Sequence, residues 1–269
     1  MTSRGRDRAD LAGKVALVTG VSRRAGIGAA IAKELVGAGA AVFITYFREY
    51  DQRQKWGIEP GEPEFILRGL GTQGGGMEVD LGDPSAVAGL FDQAISHFGR
   101  VDMLVNNAAH WESGGILEVS APQLDRHYAV NLRAAVLLCS EFVRRRSSGR
   151  GGRIVNITSG QLQGPMPGEL AYAVTKAGLD ALTLSLAAEL MELGVTVNAI
   201  DPGPTDTGWI SDELKASLAA AAPAGRIATP REVAVVVRRL LADTAARVTG
   251  RVIRLQSAGA LEELANEAG

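Results

Sequence analysis

A single cysteine stands in the 269 residues, and one thiol cannot close an intramolecular disulfide. Any stable fold must rest on its apolar core rather than on cross-links, and a reducing compartment such as the cytoplasm suits such a chain. Cys139 itself lies in an apolar helical stretch beginning at Ala134, with no catalytic partner beside it, and reads as a small core residue. Only three histidines occur, and no grouping of His, Asp, Glu or Cys has metal-ligand spacing, so no metal is expected. No apolar run is long enough to span a bilayer, and residues 1–10 lack the apolar stretch of a secretory signal. Neither sign of charge dominates: 28 basic against 30 acidic residues leave a net charge of −2. That balance gives no reason to expect nucleic acid or an anionic membrane as a partner. The one basic run, Arg144 to Arg146 with Arg150 and Arg153 nearby, falls at a predicted helix C-terminus, where cations oppose the helix dipole and stay solvated.

What the chain does have is an alternation of strand-like and helix-like stretches. Lys14–Thr19, Ala41–Tyr46, Met103–Asn106, Arg153–Thr158 and Thr196–Ile200 are short apolar runs of the kind buried on both faces of a parallel sheet. A further strand is weakly written around Gly76–Val79, and a last one spans Gly250–Leu255. Helices are predicted after the first strand as far as Gly37–Gly39, from Pro84 with Asp83 or Ser85 as cap, and over Pro122–Arg146. Two more cover Ala171–Leu193 and start at Pro230, while Trp209–Ala222 reads as one or two short helices. Residues Phe47–Pro63 break the rhythm with two prolines, two glycines and many charges, and read as a surface insertion. Seven strands with intervening helices predict one α/β domain, a Rossmann-like doubly wound parallel sheet with helices on both faces. The domain is expected over 13–257, between a loose N-terminal tail at 1–12 and a C-terminal tail at 258–269.

Thr19 to Gly28 (TGVSRRAGIG) lies between the first strand and the first helix. Gly20, Gly26 and Gly28 would let backbone approach phosphates, and the helix start would offer free N–H groups to their charge. Ser22, Arg23, Arg24 and Ile27 belong to the same turn. Glycines also make ordinary tight turns, so the pattern gains meaning from its strand–turn–helix setting. At the end of the second strand an acidic residue would bond the adenosine ribose and repel a 2′-phosphate. Thr45 and Tyr46 stand there instead, followed by Arg48. With Arg23, Arg24 and Arg48 as phosphate partners, NADP(H) is the preferred cofactor, with NAD(H) the alternative if those arginines are merely solvated. Asp80 and Leu81 end the third strand beside the expected adenine position, and Asn106-Asn107-Ala108-Ala109 supplies a small-residue floor.

Tyr172 and Lys176 are four residues apart at the start of a helix and so share one face. Ser159 follows the preceding strand, which allows all three to converge at the carboxyl ends of the strands, where open α/β sheets bind ligands. Singly, each has an ordinary reading: a half-buried aromatic, a solvated lysine, a turn-forming serine.

The ensemble is more telling. Gly20, Gly26-Ile27-Gly28, Asp80, Asn106-Asn107-Ala108, Asn131, Ser159, Tyr172-Ala173-Val174-Thr175-Lys176 and Pro202-Gly203 occur in that order. Together they resemble the single-domain branch of the short-chain dehydrogenase/reductase family, and within it the 3-oxoacyl-carrier-protein reductases, over roughly residues 13–255. The resemblance implies hydride transfer between nicotinamide and a carbonyl or alcohol. In that scheme Tyr172 is general acid in reduction and general base in oxidation, with Lys176 and oxidised nicotinamide favouring its anion. Ser159 would bond the substrate oxygen, Lys176 would also bind the nicotinamide ribose, and Asn131 would hold a water in a relay to Lys176. Pro202 and Gly203 lead to Thr205, whose backbone would face the nicotinamide amide, and to Thr207, which would reach the phosphates. Residues 204–225 resemble a lid over the substrate, though an ordinary amphipathic helix packed on the sheet would look the same. His110, Trp111, Gln161 and Trp209 are the candidates for the substrate pocket, with Gln163 and Met166 at its edge; His97 and His127 read as structural or solvated.

Four departures from the family pattern stand out. The glycine turn carries two extra residues, nominally Arg24 and Ala25; Ala109 replaces a usual glycine; the Phe47–Pro63 insertion lies near the adenosine end; and the last strand runs into Gln256–Gly259 instead of an acidic, glycine-rich end. Two other functions compete. A dinucleotide-binding sensor or scaffold could lose the tyrosine and lysine, which are kept here. An enoyl reductase would separate tyrosine and lysine more widely. The family also implies a homotetramer built on the two long helices, with a homodimer as fallback. Ala177, Ala181, Leu184 and Ala188 form a small-residue stripe suited to that contact or to packing inward on the sheet.

Overall fold

The computed structural model describes residues 10–146, 151–222 and 224–255. Of the N-terminal tail expected at 1–12, residues 1–9 lie outside the described residues, as do the C-terminal tail expected at 258–269, Arg150 and Gln256–Gly259. Residues 10–12 are not loose: Leu11 is buried in the core and its N–H donates to Ala38 O at 3.1 Å.

Seven strands form one sheet in the order β3-β2-β1-β4-β5-β6-β7, every neighbouring pair parallel. They are β1 (Val15–Val18), β2 (Ala41–Tyr46), β3 (Gly74–Glu78), β4 (Met103–Asn106), β5 (Arg153–Ile157), β6 (Thr196–Asp201) and β7 (Val252–Arg254). Side chains alternate between two cores, as the pleat dictates. Ala16, Val18, Val42, Ile44, Met103 and Val105 point to one face, against α1 (Ile27–Gly37) and a C-terminal helix, Pro230–Leu241. Leu17, Phe43, Leu104, Ile154 and Val197 point to the other. There they meet α4 (Ala86–Phe98), α6 (Ala134–Arg144) and α7 (Leu170–Glu189). Helices on both faces of a parallel sheet are what the alternating pattern predicts.

β3 is built largely from glycine for a steric reason. A Cβ on Gly76 would stand 2.6 Å from Ile44 Cγ1, and one on Gly75 would stand 2.9 Å from the His97 ring. Its first three positions pack too closely for side chains, so the strand's sequence carries little strand signal.

Three elements differ from expectation. The helix predicted over Pro122–Arg146 is α5 (Ala121–His127), a π turn (Tyr128–Arg133) and then α6. In the π turn the Ala134 N–H bonds back to Ala129 O, five residues away. Apolar spacing cannot reveal such a one-residue widening, and π turns of this kind collect at functional sites. The helix expected to reach Leu193 ends at Glu189 and continues as a 3₁₀ turn, Met191–Leu193. The Phe47–Pro63 insertion is partly helical: α2 (Arg48–Arg53) lies within it, and α3 (Glu62–Leu70) begins at its end. Trp209–Ala222 yields one helix, α8 (Asp212–Ala221).

The C-terminal helix, α9 (Pro230–Leu241), starts at a full capping box. Thr229 Oγ1 accepts from Glu232 N at 3.3 Å, and Glu232 Oε2 accepts from Thr229 N at 2.9 Å. No helix among the described residues is long and apolar enough to cross a membrane, and among them no group of His, Cys, Asp and Glu could hold a metal ion. Cys139 is buried, and burial pushes its thiol up to about 12, consistent with a core role.

Candidate active site

The carboxyl ends of β1, β2, β3 and β4 surround a cleft of about 780 Å³, within the range of small-molecule sites. Its floor is the glycine turn. Gly20 has φ +72°, and a Cβ there would stand 2.6 Å from Ala108 Cα. Gly28 is equally crowded, its Cβ position lying 2.7 Å from both Gly20 O and Asn107 Nδ2. Only glycine lets the turn and the end of β4 approach this closely. Asn107 fastens them, its Nδ2 donating to Thr19 O at 2.8 Å and Gly20 O at 3.0 Å. Thr19 Oγ1 accepts from the N–H groups of Asn107 and Ala108 at 3.0 and 3.1 Å.

Gly20, Ser22, Arg23, Gly26, Ile27, Thr45, Tyr46, Asp80, Leu81, Asn107, Ala108 and Thr207 all line the cleft. Thr45 is buried, with its hydroxyl accepting from Gly20 N at 3.4 Å. Asp80 Oδ1 accepts from Gly82 N at 2.8 Å, a turn contact that leaves the carboxylate exposed at the rim. The three arginines separate. Arg24 pairs with Glu59 and Glu62, and Arg48 with Glu64 and Glu78, and neither lines the cleft. Arg23 does line it, donating to Thr207 O at 2.9 Å.

The catalytic candidates gather beside this cleft. Ser159 hydrogen-bonds the Tyr172 phenol. Burial pushes the phenol up, the Ser159 bond opposing, so it stays protonated. Lys176 is 2% exposed, its Nζ 5.7 Å from the Tyr172 ring centroid and donating to Ile157 O at 2.8 Å. Burial lowers this ammonium to about 8, with Asp180 acting the other way.

Asn131 sits in the π turn, 1% exposed. Its side chain holds both ends of the His110 peptide unit, accepting from His110 N at 2.6 Å and donating to His110 O at 2.9 Å, and donates to Thr175 Oγ1 at 3.1 Å. It therefore ties the segment after β4 to α7 between Tyr172 and Lys176. Pro202 and Thr205 are buried after β6, and Gly203 N donates to Asp201 Oδ1 at 2.9 Å.

The substrate candidates do not share one wall. His110 lines the cleft, its Nε2 2.7 Å from Glu112 Oε1. The Trp111 N–H donates to Tyr50 at 3.0 Å. Gln161 is turned to Asp180, donating at 2.5 Å, and Gln163 donates to Asp201. Trp209 is half exposed ahead of α8. His127 is structural, bonded to Gln123 O and Glu112 N, and His97 packs on Phe43 and Phe98.

The chain has relatives among known proteins. A family model described as enoyl-(acyl carrier protein) reductase matches residues 20–257. The uncharacterized oxidoreductase YjdA of Bacillus subtilis is 43% identical over 242 residues, covering 89% of this chain and 94% of that protein. The 3-oxoacyl-[acyl-carrier-protein] reductase FabG of Escherichia coli is 34% identical over 248 residues, covering 90% and 96%. A crystal structure of a short chain dehydrogenase from Burkholderia cenocepacia in complex with NADP is 32% identical, with a TM-score of 0.82 over 92% of this chain and 98% of that one. The chain belongs to the short-chain dehydrogenase/reductase family. It is an oxidoreductase with the Rossmann-like fold of that family.

Sequence reasoning missed several residues around the site of this short-chain dehydrogenase/reductase. Tyr50, Asp51 and Trp56 of the insertion line the cleft; two aromatics inside a charged stretch were the available signal. Asp180 on α7 and Asp201 at the end of β6 are buried at 5% and 2% exposure. Asp180, four residues after Lys176 and so on its face of α7, was legible by spacing.

Proposed function

We propose that this short-chain dehydrogenase/reductase uses NADP(H) to interconvert a small-molecule carbonyl and its alcohol, with Tyr172 as the general acid and base. The observation that carries the reading is the junction of Ser159, Tyr172 and Lys176. A protonated phenol is bonded to a serine hydroxyl, and a buried ammonium lies 5.7 Å from the phenol ring.

The residues suit the cofactor. The buried Lys176 ammonium donates to Ile157 O, and an ammonium carries three N–H donors, which leaves it able to reach ribose hydroxyls as well. Arg23, with Ser22 beside it, is the arginine of the turn that faces the cleft, and NADP is what the Burkholderia relative carries. When bound, the nicotinamide supplies or accepts the hydride. Ser159 orients the substrate oxygen, Tyr172 gives or takes its proton, and Lys176 places positive charge beside the phenol. Asn131 holds the His110 segment and α7 in fixed relation, the service it performs for the relay.

Residues 204–225 are read as a lid, with Trp209 facing outward from it. Val136 and Tyr128 on one long helical unit and Val174 and Leu184 on α7 are exposed apolar residues, and Ala181 and Ala188 are exposed beside Leu184. The small-residue stripe thus faces outward, which supports a homodimer face that repeats into a homotetramer. Cytoplasmic residence agrees with the single buried thiol.

Tyr172→Phe tests the function. Turnover of a panel of ketones and aldehydes with NADPH should fall by about 10²-fold or more, while NADPH binding by calorimetry stays intact. Undiminished turnover would remove Tyr172 from the mechanism. An enoyl thioester in the same panel, reduced in preference to every carbonyl, would replace the carbonyl reading with the one the family description names.

A further inference from the structure

Residues 47–63 take no part in the proton transfer, yet they close against the cleft at two points. On one side Tyr50 of α2 accepts a hydrogen bond from Trp111 N at 3.0 Å, its ring 5.2 Å from that of His110. On the other, Asp51 reaches the glycine turn. This carboxylate is 7% exposed, its Oδ1 accepting from the Trp56 indole at 3.2 Å. Ser22 hydrogen-bonds it as well. Ser22 Oγ accepts from Phe47 N at 3.3 Å, which directs the hydroxyl proton toward the carboxylate. The Arg23 guanidinium lies 5.5 Å over the Trp56 ring and faces Asp51 electrostatically, with Glu62 of α3 the other charge nearby. Ser22 and Arg23, two polar side chains of the turn that line the cleft, are therefore engaged by the insertion. The carboxylate that engages them stands where a dinucleotide brings its own negative charges.

We propose that Asp51 competes with the phosphates of NADP(H) for Ser22 and Arg23, so that the 47–63 insertion sets the affinity for cofactor. The proposal rests on the reading of this cleft as an NADP(H) site. Two anions in a poorly hydrated cleft repel strongly, so binding has to part Asp51 from Ser22. Burial already pushes the Asp51 carboxyl up, with Glu62 adding to it, a sign that its charge is held at a cost before any phosphate arrives.

The experiment is calorimetric titration of NADP⁺, and separately of adenosine, into the wild type, Asp51→Asn and Asp51→Ala, each checked by thermal melting. Asp51→Asn keeps an acceptor for Trp56 while removing the charge; Asp51→Ser replaces it if that variant fails to melt cooperatively. NADP⁺ should bind the variants about fivefold more tightly or better, while adenosine, which has no phosphate, is unaffected. An unchanged or weaker NADP⁺ affinity in a folded variant would overturn the competition. So would an equal gain for adenosine, which would mean that the substitution merely opens the cleft. If wild type and variants alike fail to bind NADP⁺, the cofactor reading itself fails and takes this proposal with it.

Discussion

Replacing Lys176 by methionine should make the protein more stable while ending its activity. The ammonium is 2% exposed, and burial lowers it from 10.5 to about 8. A displacement of that size corresponds to roughly 3 kcal/mol by which the buried charge disfavours the folded state at neutral pH. Methionine of similar length fills the space without the charge. It forfeits the bond to Ile157 O, and losing a charged donor costs about 1.5–3 kcal/mol. The net expectation is a gain of about 1 kcal/mol, or roughly 2–4 °C in melting temperature for a domain of this size. The pH dependence is the sharper part. The wild-type penalty is full below the folded value near 8. It shrinks as pH rises toward 10.5, because there the unfolded chain keeps a proton that the folded chain has released. The stability advantage of the variant should therefore be widest near neutral pH and close as pH rises through that window. Urea unfolding of both proteins without cofactor, at several pH values, measures it. A variant less stable than wild type near neutral pH, or an advantage that does not change with pH, would refute the reasoning.

Two further predictions concern the scaffold. Gly20→Ala introduces a Cβ 2.6 Å from Ala108 Cα at φ +72°; the left-handed backbone alone costs about 1–2 kcal/mol, so the urea midpoint should drop markedly, and a wild-type midpoint would mean the turn and β4 are not in contact. Thr229→Ala deletes one half of the capping box on α9 and should lower stability by about 1 kcal/mol, read as a fall in melting temperature with turnover unchanged.

The sheet was legible because each central strand is an apolar run bounded by turn residues, and burial on both faces leaves little room for any other reading. β2 and β4 fall where the pattern places them. β3 was hard to read because its glycines answer to Ile44 and His97, neighbours that no local window includes. Tyr172 and Lys176 could be paired from spacing alone, whereas the role of Asn131 as a clamp on the His110 peptide unit depends on a π turn that leaves the apolar periodicity undisturbed. The insertion's place after β2 puts it near the adenosine end, but which of its residues turn inward is hidden because a run of charges looks solvated. Here Arg24 and Arg48 are absorbed by Glu59, Glu62, Glu64 and Glu78. That pairing frees Tyr50, Asp51 and Trp56 to turn inward, and it was written only in the contacts between segments.

The position of β1 has a consequence for how the chain comes into being. β1 is paired with β2 on one side and β4 on the other, but the ribosome delivers β2 and β3 long before Met103–Asn106 emerge. Through that interval the growing polypeptide presents Val15–Val18, fully buried at the end, with one row of backbone donors and acceptors unclaimed. An unclaimed apolar edge of this kind invites pairing with a neighbouring nascent chain. For β1 that exposure ends when β4 docks and seals the middle of the sheet, and the open edge then passes to β4 until β5 arrives.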